Sequence, residues 1–94
     1  MQWKLFADLA ELAGDRTVEV EVAGDTVGDA LDALLDARPA LRDRVLTADG
    51  DLQDHINLLR NGTNIAHEDG LDTQLEGDDE LALFPPVSGG SRAS

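Results

Sequence analysis

The chain has 94 residues, room for one domain and not for two. Asp and Glu total 20 (14 of them Asp) against seven Lys and Arg, a net charge of −13 that repels phosphate backbones and argues against nucleic-acid binding. With 41% hydrophobic residues the chain can build a small core, yet no apolar run approaches the ~20 residues that span a bilayer, and the lack of cysteine removes disulfides, thiolate metal sites and thiol nucleophiles.

Trp3, Leu5 and Phe6, with Lys4 between them, predict an opening strand. Leu9, Leu12 and Ala13 have helical spacing, and Gly14 stops that short helix. Thr17 to Val22 alternates cleanly. Val18, Val20 and Val22 face one way and Glu19 and Glu21 the other, as on a half-buried strand. After the turn at Ala23-Gly24-Asp25, Thr26 is a good N-cap with Asp29 three residues on. Val27, Ala30, Leu31, Leu34 and Leu35 then form the apolar stripe of the one long helix. Arg38-Pro39 ends it, because the residue before proline is pushed out of helical geometry.

Leu41, Val45 and Leu46 allow another helical turn, and Thr47 to Asp51 is loop. Ile56 to Arg60 predicts a strand. Asn61-Gly62 is a two-residue hairpin turn, whose central positions both need positive φ, and Thr63 to Ala66 is the short return strand. Asp69-Gly70 and Gly77-Asp78-Asp79 punctuate the next loop. Glu80 to Phe84 is the last strand, halted by Pro85-Pro86. The order is α+β, a mixed sheet of four to five strands packed on one main helix, which suits a β-grasp (ubiquitin-like) domain over residues 1–86 with a flexible tail over 87–94.

Few residues carry chemistry. Asp49 to Asp54 begins like a calcium loop but lacks the glycine at its sixth position, and Arg60 stands where the bidentate Glu belongs. His55 and His67 have no partner at metal-binding spacing, so no metal site and no bound cofactor are expected. Ser88 and Ser91 have no adjacent base, so the chain is not read as an enzyme. The N-terminus has no signal-peptide pattern, which points to the cytoplasm. The acids are spread along the chain without a block, a pattern that fits solubility in molar salt better than docking to one basic partner.

The tail is different. Prolines cannot donate hydrogen bonds, so the chain leaves the sheet after Phe84 in extended form, and Pro85 to Gly90 can reach about 20 Å. Gly89 and Gly90 carry no side chains and fit a narrow cleft. The string Leu83-Phe84-Pro85-Pro86-Val87-Ser88-Gly89-Gly90, preceded by Gly77-Asp78-Asp79-Glu80, resembles the C-terminus of the molybdopterin synthase small subunit. Lys4-Leu5-Phe6-Ala7 and Leu9 to Gly14 resemble the start of that MoaD/ThiS-like family, and the acidic surface is similar to that of ubiquitin-like small archaeal modifier proteins.

This resemblance spans Met1 to Gly90 and implies a β-grasp fold. It also implies a carrier whose reacting group is its own terminal carboxylate, adenylated at Gly90 by an E1-like activating enzyme that uses ATP. The product is then either a thiocarboxylate, serving the large subunit of molybdopterin synthase or a tRNA-thiolation enzyme, or an isopeptide bond to lysines of target proteins. By the same resemblance Gly89, Ser88, Val87, Pro86 and Pro85 give the tail its access, and Phe84 is a docking contact. Lys4, the only lysine, is the side-chain amine open to self-conjugation. One departure stands out. Ser91-Arg92-Ala93-Ser94 follow Gly90, so the reacting carboxylate requires their removal, by a processing metalloprotease or because they are a cloning remnant. The alternative is a β-grasp adaptor that binds partners without conjugating.

Overall fold

Alternation along the first strand decides which face of the sheet is buried. In a computed structural model describing residues 1–53 and 55–85, β1 (Gln2–Leu5) puts Trp3 and Leu5 in the core and leaves Lys4 exposed. The remaining strands are β2 (Thr17–Glu19), β3 (Asn57–Arg60), β4 (Thr63–Asn64) and β5 (Glu80–Phe84). They form one mixed sheet in the order β2-β1-β5-β3-β4. β5 lies at its centre, parallel to β1 and antiparallel to β3. This is the β-grasp arrangement.

Helix α2 (Val27–Ala37) covers the inner face, flanked by α1 (Asp8–Ala13) and α3 (Arg42–Val45). Its five stripe residues are all buried, and they meet Trp3, Leu5, Leu58, Leu81 and Leu83 from the sheet in one core. Removing a side chain the size of Leu34 from such a core costs about 2–5 kcal/mol. The Trp3 indole N–H donates to the Ala30 carbonyl at 3.2 Å, which ties β1 to α2 and satisfies the one polar atom of that ring.

The start of α2 follows its sequence closely. Thr26 Oγ1 accepts from the Asp29 N–H at 3.2 Å, and the Asp29 carboxylate accepts in return from the Thr26 N–H and hydroxyl. A Cβ on Gly24 would stand 1.8 Å from that carboxylate, so the cap requires glycine there.

β1 stops at Leu5 and leaves the expected Phe6 outside, β3 starts at Asn57 and leaves out Ile56, and two further strands fall clearly short of expectation. β2 stops at Glu19, although Val20 stays buried and its N–H still donates to the Met1 carbonyl at 2.9 Å. The alternation is kept and the ladder is not, because Gln2 pairs Glu19 at the end of β1. The return strand is confined to Thr63–Asn64, since Asn64 caps a 3₁₀ turn over Ile65–His67 with its side-chain oxygen. Between β3 and β4, Asn61 (φ 52) and Gly62 (φ 86) make the expected tight turn. The boundary expected at residue 86 falls at the edge of the described residues.

Candidate functional site

β5 leads to the tail, so its two ends define the site. Its start is locked by polar contacts. The Asp79 carboxylate, 6% exposed, accepts from Arg60 Nε, Asn61 Nδ2 and the Glu76 N–H, each at 2.7 Å. Asn61 closes the loop, because its side-chain oxygen accepts from the Glu80 N–H and its own N–H donates to the Glu80 carbonyl, both at 2.9 Å. Burial alone would raise the Asp79 pKa, but the hydrogen bonds from Glu76, Arg60 and Asn61 and the Arg60 charge together hold it below the usual carboxylate value. The Asp79 hydrogen bond likewise raises Arg60. Sequence reading missed this network, in which a strand residue, a turn residue and a loop residue meet.

The far end is apolar. Alternation puts Glu80, Ala82 and Phe84 on the outer face of the sheet, opposite buried Leu81 and Leu83. Register sets Leu59 against Ala82 and Asn57 against Phe84. The ring of Phe6 stacks on that of Phe84 with centroids 4.1 Å apart and planes 8° from parallel. Phe6 nevertheless stays 38% exposed, one of two large apolar side chains so exposed among the described residues. Its position is held by Ala7, which has φ +53, a conformation that costs an ordinary residue about 1–3 kcal/mol and survives only where its neighbours impose it. The neighbours here are α1, which starts at Asp8, and fully buried Leu9, whose N–H donates to the Phe6 carbonyl. The outer face at this end of the central strand therefore carries an exposed Phe6 ring stacked on a half-buried Phe84, with half-buried Ala82 and Leu59 on the same face.

Lys4 is half exposed on the same face, and its Nζ lies 3.2 Å from Glu80 Oε2. Phe84 and Pro85 are half-buried. Pro86, Val87, Ser88, Gly89 and Gly90 lie outside the described residues. His55 and His67 are exposed, and no group of three or more His, Asp or Glu among the described residues could hold a metal ion. No helix among them is long and apolar enough to cross a membrane.

The ThiS family profile matches residues 3–90, nearly the whole chain. The chain belongs to the ThiS family. It is 65% identical over 91 residues to small archaeal modifier protein 1 of Haloferax volcanii, covering 96% of this chain and 100% of that protein. A crystal structure of the Haloferax volcanii protein superposes with a TM-score of 0.86 at 64% identity, over 96% of this chain and 98% of the other. The solution structure of small archaeal modifier protein 1 from Methanosarcina acetivorans gives 0.82 at 40% identity, over 95% and 94%. The β-grasp fold expected from strand order and the family resemblance both stand. This ThiS-family chain is a close homologue of a ubiquitin-like modifier.

Proposed function

We propose that this chain works as a ubiquitin-like modifier and sulfur carrier through the carboxylate of Gly90, once residues 91–94 are removed. The observation that carries the reading is the family match, which runs through Gly89-Gly90 and stops at residue 90. The Gly90 carboxylate attacks the α-phosphorus of ATP in an E1-like enzyme, pyrophosphate leaves, and the acyl adenylate carries AMP as its leaving group. A lysine amine of a target protein then displaces AMP to give an isopeptide bond. A sulfur nucleophile at the same carbon leads instead to the thiocarboxylate, for the large subunit of molybdopterin synthase or a tRNA-thiolation enzyme. With no cysteine in the chain, the sulfur chemistry comes from partners acting in the cytoplasm.

By the family resemblance, Pro85 to Ser88 give the glycines their reach, and slim Gly89 lets Gly90 enter a nucleotide pocket. The Phe6–Phe84 stack, with Ala82 and Leu59, is the face on which the activating enzyme seats. Lys4 is the acceptor for a second copy, after release from Glu80. A mass spectrum of the protein from its own cells tests the proposal. Chains ending at Gly90, with or without sulfur replacing one oxygen, support it, and Gly90→Ala should abolish both thiocarboxylate and conjugates. Chains that always end at Ser94 would leave the non-covalent adaptor.

A further inference from the structure

Six basic side chains lie among the described residues, and five of them pair with a carboxylate. Lys4 takes Glu80, Arg38 takes Asp15, Arg42 takes Asp36, Arg44 takes Asp8, and Arg60 takes Asp79. Arg16 pairs with none among the described residues, in a chain where acids outnumber bases 20 to 7. Its backbone is fixed even so. Gly14 ends α1 in a left-handed turn at φ +84, and the Arg16 carbonyl accepts from the Leu5 N–H at 2.8 Å. The side chain is exposed.

Arg16 lines a groove of about 820 Å³, with Phe6, Ala7 and Ala10 among the other lining residues. Phe6 belongs both to this groove and to the stacked pair, so the groove continues the apolar face from which the tail departs. Lys4 and Asp15 also line it, but each is already paired. Glu11 lines it too, from α1, and has no ion pair among the described residues. An anion entering the groove is therefore repelled from the α1 side and drawn to Arg16 beside β2.

We propose that Arg16 is a specificity-determining contact that receives a carboxylate from the surface of the E1-like activating enzyme, in the groove beginning at Phe6. This rests on the docking reading given above. A partner that covers the stacked rings reaches Arg16 without crossing another unpaired cation, and a carboxylate there completes the pairing of basic groups that the rest of the surface shows. The opposing acid discriminates by repulsion. Only a partner whose carboxylate lies toward β2 avoids Glu11.

Calorimetric titration of the full chain into the E1-like enzyme from the same cells tests this. Arg16→Ala should weaken binding about fivefold and Arg16→Glu about twentyfold, since reversal replaces an attraction by a repulsion. Arg16→Lys should stay within about threefold of the parent, because the charge is kept. The deficit of Arg16→Ala should shrink as KCl rises to molar concentration. A deficit that ignores salt, or an Arg16→Glu variant that binds like the parent while Phe84→Ala is impaired, overturns the role of Arg16 and leaves the docking face standing. Loss of neither interaction on Phe84→Ala and Arg16→Glu overturns both. Unchanged melting of the Arg16 variants shows that a binding deficit does not come from a weakened fold.

Discussion

The two ends of β5 are built from opposite materials. At Asp79 the chain enters the strand through a buried carboxylate whose acceptor sites are filled from β3, the hairpin turn and its own loop. At Phe84 it ends in an aromatic face where the ring of Phe6 stacks on that of Phe84. Buried polar groups are costly unless matched, so the first arrangement tolerates one register and holds the strand in it. The apolar end has no such demand and gains when another surface excludes water from it. The strand is thus anchored behind and open in front, which suits an element that presents a tail to a partner.

Breaking the anchored end should give the largest effect. Asp79→Ala leaves Arg60, Asn61 and the Glu76 N–H without their acceptor and should cost about 3 kcal/mol. At about 4–8 °C per kcal/mol, thermal melts should show a drop of more than 10 °C. A drop of only a degree or two would mean that water replaces the carboxylate freely and that the anchor is no anchor.

Breaking the open end should separate binding from stability. Phe84→Ala should weaken association with the activating enzyme by about 2 kcal/mol, roughly thirtyfold, as removal of a central aromatic contact does. A stability loss as large as the binding loss would place Phe84 with the core and undo the contrast.

Acid sharpens the comparison from the other side. The native Asp79 pKa lies below its unfolded value, so its contribution is complete above the unfolded value and is lost as pH falls through the native one. Denaturant melts from pH 6 downward should show the parent and Asp79→Asn converging in stability. Parallel curves would show that charge at this position does not matter.

The smallest effect concerns the surface shared by both ends. With a net charge of −13, stability should rise between dilute buffer and molar KCl as repulsion is screened. A melting temperature that does not respond to salt would remove the reading of the acids as salt adaptation.

Much of the fold was legible in the chain. Thr26 and Asp29 announce the capped start of α2, Asn61-Gly62 announces the hairpin, and Leu81 and Leu83 alternate as a strand must. These signals are local, because caps, turns and period-two alternation are settled within a few residues. Where ladders end was not legible. Val18, Val20 and Val22 alternate throughout, yet β2 stops at Glu19, since a strand needs a partner as well as a pattern.

The site divides in the same way. Phe84 and the glycine tail were visible because one continuous string carries them, whereas Phe6 read as a strand residue within the N-terminal family string, with no sign that it meets Phe84. The sequence by itself determined the elements, the acidic surface and the Gly89-Gly90 string that carries the family resemblance, all of which depend on neighbours along the chain. Tertiary structure alone decided that Phe6 meets Phe84, that Arg60 and Asn61 meet Asp79, and that Arg16 is left without a carboxylate among the described residues. Those outcomes depend on strands and loops distant in sequence, and the register of the five-stranded sheet brings them together.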